Sequence, residues 1–367
     1  MFRRSIVILF VLAFTFAGCA GVRDQVAGRS LEPGGFAADE LVDVLSPGTV
    51  PAVDRPSFET IGTASERLVE RDPVAVLEMG GDARAYPLAI LVWHEIINDV
   101  VGGDAVAVTF SPLTGSAVAF RRTVDGRVPS FAGSGKLHRA NLVMYDRSAG
   151  RPSLWPQLPG GAVLGPAAGH TLETIPLRVV SFDDFARTFP AGKVLTARTG
   201  TARVYGATPY AGYDSRSRPS AAFFPHAPDP RIGAMERVLG VRAGDDSRAY
   251  PFGRLGSGVV ADRIGGRDVV VLWRAGRASA LDSALISDGS DTGAAAAYVP
   301  DAGGRHLDLE AVAGGFRDRQ TGSIWSVLGV ATAGPLAGSH LEPLPQVEAF
   351  WFAWAASVPR TTIYGRS

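Results

Sequence analysis

Residues 74–87, VAVLEMGGDARAYP, return as residues 238–251, VLGVRAGDDSRAYP, and this recurrence constrains the fold more than any single motif. Further matches keep the same order. DVVGG at 99–103 is answered by DRIGG at 262–266, each followed by a β-rich run. MYDR at 144–147, then Ser153-Leu154-Trp155, matches GFRDR at 315–319, then Ser323-Ile324-Trp325. GPAAG at 165–169 matches GPLAG at 334–338, and 182–190 occupies the place of 351–359. The halves read as two tandem homologous domains, 41–196 and 237–367. Glycine pairs between apolar, β-branched runs predict antiparallel β-hairpins. The expected class is therefore α+β and β-rich, with short helices closing each half. A short helix is also expected over 65–71, and 347–357 reads as a buried helix.

Within the first half, the Gly102-Gly103 pair fixes a register by counting outward. Val101 should face Asp104, Asn98 face Ala107, Ile96 face Thr109, and His94 face Ser111. An imidazole opposite a hydroxyl is a nucleophile and its base, a ligand-binding pair, or an ordinary buried hydrogen bond. At the corresponding places the second half has Ser257 and Arg274, so a single site is expected in the first half. Residues common to both halves, such as Trp155 with Trp325 and Asp146 with Asp318, read first as scaffold.

The turn at 111–116, SPLTGS, presents Ser111, Thr114 and backbone N–H groups beside His94. Lys136 lies in FAGSGKLH, which lacks the earlier glycine of a phosphate loop, so nucleotide hydrolysis is rejected. Thr114, Lys136, Asn141 and Asp146 complete the expected ligand-binding set around the catalytic candidates His94 and Ser111. No cofactor is identified; a metal ion held by His94 with the distant His138 or His170 is the alternative considered. On a strand His94 and Glu95 would face opposite ways and could not share that ion. Residues 197–236, with Tyr205, Tyr210 and Tyr213, are too aromatic for a plain linker and should pack over one half and line a pocket.

Lysine plus arginine equals aspartate plus glutamate at 36 each, and without a basic cluster nucleic acid is not an expected partner. The N-terminus carries an address. Arg3-Arg4, an apolar run from Ile6 to Phe16, and FAGC at 16–19 read as a bacterial lipoprotein signal peptide over 1–18. Cys19 would be acylated and hold the protein to the lipid bilayer, with 19–40 as a flexible tether. The protein would then be exported and membrane-anchored, facing the periplasm or the outside of the cell. Cys19 is the only cysteine, so no internal disulfide forms.

The chain resembles the bacterial and archaeal proteins grouped as domain of unknown function 3179. The resemblance rests on Ala85-Tyr86-Pro87, WHEIIND at 93–99, TFSPLTGS at 109–116, SGKL at 134–137, NLVMYD at 141–146 and SLWPQ at 153–157. Such proteins commonly carry a cysteine where this chain has Ser111. A thiolate is the stronger nucleophile and the better soft-metal ligand. The resemblance implies no established activity. The leading expectation is an envelope lipoprotein that binds a small ligand or cell-envelope polymer around His94 and Ser111. The alternatives are a hydrolase or transferase with Ser111 as nucleophile and His94 as base, and a metal-handling lipoprotein with His94 as ligand.

Overall fold

Gly102 and Gly103 adopt φ of 57° and 92°, the left-handed values a tight two-residue turn requires. Around them Ile96–Val101 pairs antiparallel with Asp104–Ser111, with Val101 opposite Asp104, Asn98 opposite Ala107 and Ile96 opposite Thr109. A computed structural model describes residues 40–365 except 148, 149, 159 and 257. The expected signal peptide, Cys19, all of the expected tether but Glu40, and Ser257 lie outside the described residues.

The protein is β-rich, with antiparallel sheets and few helices. One sheet runs in the order Thr174–Ile175, Ser116–Arg121, Asp104–Ser111, Ile96–Val101. A second runs Leu41–Asp43, Phe131–His138, Asn141–Asp146, Leu154–Pro156. In a third, Pro73–Met79 turns through Gly80 and Gly81 into Asp82–Pro87, flanked by Arg178–Ser181 and Lys193–Leu195. Lys193–Leu195 is parallel to Asp82–Pro87, and Phe58–Thr60 completes that sheet. Later in the chain, Gln346–Phe350, Arg237–Ala243, Asp246–Pro251 and Thr362–Ile363 lie in that order, the last pair again parallel.

Helices are short and sit where strands end. Ser181 caps Phe182–Thr188, its Oγ accepting from Asp184 N at 3.0 Å. Trp351–Ser357 follows Gln346–Phe350 directly, so the helix expected over 347–357 is half strand and half helix. The helix expected at 65–71 lies earlier, at Ile61–Ala64, where the Thr60 hydroxyl accepts from Thr63 N. Ser65, which could have opened a helix, closes this one instead, its Oγ donating to Ile61 O at 2.9 Å.

Paired acids recur along the chain. Arg84 and the Tyr86 hydroxyl both donate to Asp99, at 2.7 and 2.6 Å. Arg248 and the Tyr250 hydroxyl donate to Asp262 at 2.6 and 2.7 Å. The Trp155 indole N–H donates to Asp146 at 3.0 Å, and that of Trp325 to Asp318 at 2.9 Å. Two hydrophobic clusters draw on both halves. One joins Ala75, Tyr86, Leu91 and Phe110 to Leu281, Phe350 and Phe352; another joins Val74, Val76 and Phe185 to Val270, Leu272 and Trp325.

Candidate functional site

Residues 88–93, LAILVW, are apolar throughout, a pattern that by itself does not separate a buried strand from a buried helix. They form the helix Leu88–His94, which Pro87 opens with φ of −57°. The helix ends abruptly at Glu95, whose φ of 58° and ψ of −32° leave the helical region. Glu95 N still donates to Leu91 O at 2.8 Å, while its carbonyl accepts from Phe110 N at 2.8 Å and starts the strand. The expected cross-strand pairing of His94 with Ser111 is therefore corrected. The register holds as far as Ile96, His94 belongs to the helix, and Ser111 pairs with Ser116 across the next turn.

His94 is 1% exposed and has both ring nitrogens engaged. Nδ1 lies 2.7 Å from Pro51 O and Nε2 lies 2.6 Å from the Tyr205 hydroxyl. A carbonyl only accepts, so Nδ1 carries the hydrogen, and Nε2 of the neutral ring accepts from Tyr205. Tyr205 in turn lies 2.6 Å from Thr199 Oγ1. Burial lowers the His94 pKa, the Pro51 contact raises it, and Arg203 lowers it again, with a net downward shift. Ser111 is equally buried, and its Oγ accepts from Leu142 N at 3.2 Å. No hydrogen bond joins His94 and Ser111 among the described residues.

The remaining candidates separate. Thr114 and Asn141 belong to a closed network. Asn141 Nδ2 donates to Thr114 Oγ1 at 3.0 Å and to Gln157 Oε1 at 2.9 Å, while Asn141 Oδ1 accepts from Leu158 N. Ser116 Oγ donates to Gln157 Oε1, and Gln157 Nε2 donates to Thr109 Oγ1. Buried polar groups satisfied in this way hold one arrangement of the turn and strands. Asp146 accepts from Ser153 N and Trp155 Nε1. Lys136 forms a part-exposed ion pair with Asp43. Gln157, which ties this network together, was not singled out from the sequence beyond its place in SLWPQ.

At the end of the helix Leu88–His94 two half-buried groups lack a partner, Glu95 and Tyr210; elsewhere among the described residues Arg178 Nε, Asp214 Oδ1, Trp273 Nε1 and Asp282 Oδ1 are buried without one. The Glu95 carboxyl is half-buried and has no hydrogen-bond or ion-pair partner among the described residues. Burial alone pushes its pKa up to about 7. The Tyr210 hydroxyl likewise has no partner among the described residues. Burial raises its pKa strongly, and the neighbouring Glu95 charge raises it further. The two groups are therefore within electrostatic reach of each other. Tyr210 comes from the aromatic connection, which was expected to pack over one half and is bonded to both. Thr208 N, Gly212 N and Tyr213 N donate to Ala284 O, Asp282 O and Leu281 O in the second, and side chains tie it to the first. Trp93 Nε1 donates to Ala207 O at 3.0 Å, and the Tyr213 hydroxyl donates to Leu113 O at 2.8 Å. The aromatic content of 197–236 was the signal available for Tyr210. No spacing marks Glu95, because its character comes from partners it lacks.

Among the described residues no group of three or more His, Cys, Asp or Glu side chains could hold a metal ion. No described helix is long and apolar enough to cross a membrane. Residues 47–361 match the family described as Protein of unknown function (DUF3179). No curated protein and no solved structure matches the chain.

Proposed function

The chain belongs to the family Protein of unknown function (DUF3179), and we propose that this member is a cell-envelope lipoprotein that holds a small ligand against Glu95 and Tyr210. One observation carries the reading. Glu95 is a non-glycine residue held at positive φ at a helix-to-strand elbow, and it presents a carboxyl group with no partner. Such a backbone costs about 1–3 kcal/mol and clusters at ligand sites. Leaving a buried polar group unpaired costs about 1–3 kcal/mol more. Several other buried or half-buried acids of the protein are paired with arginine, among them Asp99 with Arg84, Asp262 with Arg248, and Glu348 with Arg277. The unpaired carboxyl at the strained elbow supports a group kept open for something that binds there.

A binding role is favoured over a hydrolase because neither member of the candidate nucleophile–base pair contacts the other. The His94 ring holds the Tyr205 segment in place, and Ser111 holds Leu142. The anchor reading rests on the basic, apolar and small-residue order ending at Cys19. We also propose that the halves arose by tandem duplication. The repeated strand orders and the matched Arg–Asp–Tyr and Asp–Trp contacts support it.

The ligand reading is tested by a thermal-shift screen of the full-length chain in detergent against amino sugars, short peptides and cell-wall fragments. At least one class should raise the Tm of the wild-type protein and fail to raise that of Glu95→Gln. If every hit acts equally on both, Glu95 is not the site. Cys19→Ser should leave an unprocessed, unlipidated precursor; normal lipid labelling of that variant would remove the anchor.

A further inference from the structure

The reading of Glu95 as a ligand-facing group leaves the chemistry of the ligand open, and the surroundings of the carboxyl narrow it. Among the described residues no arginine, lysine or histidine acts on it. The nearby Arg203 lies over the Trp93 ring, 5.7 Å from its centroid, and acts on His94 and Tyr205 instead. The His94 ring, next in sequence, faces Pro51 O and Tyr205. Tyr210 lies in the chain between Ala207, whose carbonyl accepts from Trp93 Nε1, and Tyr213, whose hydroxyl donates to Leu113 O. Its segment is thus held beside the helix end that Glu95 closes, within electrostatic reach of the carboxyl. Among the described residues the site thus offers an anion without a counter-charge and, on the tyrosine ring, a hydroxyl oxygen without a donor, both groups partly exposed.

We propose that the ligand carries a protonated primary amine, which ion-pairs with Glu95 and donates a second hydrogen bond to the Tyr210 hydroxyl oxygen. This deepens the ligand reading above and rests on it. An ammonium group brings three donors and the missing positive charge, and a tyrosine ring favours it further. It is the chemistry of an amino sugar, a peptide N-terminus or an amine headgroup. A neutral hydroxyl ligand would need the opposite state, a protonated Glu95 acting as donor.

The two cases differ in the sign of proton linkage. Glu95 titrates near neutrality, so an ammonium that requires the carboxylate expels a proton and binds more tightly as pH rises. A hydroxyl ligand held by the protonated acid binds more weakly as pH rises.

The test titrates the full-length chain in detergent micelles with 2-phenylethylamine and with 2-phenylethanol, by calorimetry and by NMR. The amine should bind roughly tenfold or more tightly than the alcohol, the scale of one charge-assisted contact. Its affinity should rise about tenfold between pH 6 and pH 8, as an acid titrating near pH 7 becomes ionised. Glu95→Gln should lose that advantage and its pH dependence. Tyr210→Phe should lose a few-fold affinity and keep the pH slope. Alcohol binding as tight as amine binding, abolished in Glu95→Gln, would leave a ligand site at Glu95 and overturn the amine. Amine affinity that is absent, flat with pH or unchanged in Glu95→Gln would overturn it as well. If Glu95→Gln lost its fold, Glu95→Asp, which keeps the charge but retracts it, should weaken the amine while preserving the pH slope; an unchanged affinity would count against the proposal.

Discussion

After the same Ala-Tyr-Pro strand end, the two halves of the chain do different things. Pro87 opens the seven-residue helix Leu88–His94, which ends in the left-handed Glu95. Pro251, with nearly the same backbone angles, opens only the single turn Phe252–Arg254. Residues 88–94 contain no glycine, whereas 252–258 contain Gly253, Gly256 and Gly258, and glycine disfavours helix by about 1 kcal/mol at each position. Both halves keep the paired acid beneath, Asp99 in one and Asp262 in the other. The added turns of helix end at Glu95, an acid without a partner among the described residues. The comparison teaches that shared scaffold and proposed site are separable here: the paired Arg–Asp–Tyr groups recur in both halves, and the helix that ends at Glu95 belongs to one.

Four experiments break or sharpen that contrast. The largest effect is expected from Trp155→Ala and Trp325→Ala. Each side chain is fully buried, and each should lose about 3–5 kcal/mol in denaturant unfolding. A loss confined to one would show that the tryptophans are not equivalent supports. Glu95→Gln should come next, and with the opposite sign at alkaline pH. The folded-state pKa of Glu95 is raised to about 7, so its contribution to stability is full below the ordinary carboxylate range and falls as pH rises through 7. Above pH 8 the variant should be the more stable, by up to about 3 kcal/mol from the size of that shift, less whatever solvent screens. At pH 4 the difference should vanish. Tm curves for the two proteins that stay parallel across this range would mean that Glu95 is not strained by its surroundings.

Asp99→Asn and Asp262→Asn probe the shared layer, and each should cost about 1–3 kcal/mol by replacing the carboxylate that an arginine and a tyrosine share with a neutral amide offering one acceptor oxygen. Unequal urea midpoints would mark one half as the weaker. The smallest effect belongs to Tyr205→Phe, which removes one hydrogen bond to the His94 ring and should cost about 1 kcal/mol. It should also quicken hydrogen exchange at 199–213 and leave the second half unchanged. Equal protection in variant and wild type would mean that His94 does not hold this segment.

What the sequence made legible follows the same division. Glycine pairs and alternating apolar residues specify turns and pairing locally, so the register from Val101 back to Ile96 was readable from the letters alone. His94 was not, because a continuous apolar run carries no period to separate helix from strand, and the elbow lies one residue beyond it. Thr114 and Asn141 were recognisable as polar residues near a turn. That they close on Gln157, brought from 41 residues beyond Ser116, depends on tertiary packing. Lys136 was visible for its rarity, and its partner Asp43 lies 93 residues earlier in the chain. Glu95 was the least legible: a missing partner leaves no mark in a sequence.

The clusters drawing on both halves carry a consequence for how the chain is made. Val74 and Val76 complete their core only with Val270, Leu272 and Trp325, which leave the ribosome about 200 to 250 residues later. Until then the first half holds an apolar sheet face that its own Phe182 and Phe185 cover only in part, the kind of surface on which neighbouring chains associate. Contacts so distant in sequence close slowly, since the chain entropy between them is lost before the burial that compensates it is gained. Production of this protein should therefore be limited by the interval between the arrival of its halves, and a fragment ending near residue 196 should aggregate, however faithfully its own hairpins form.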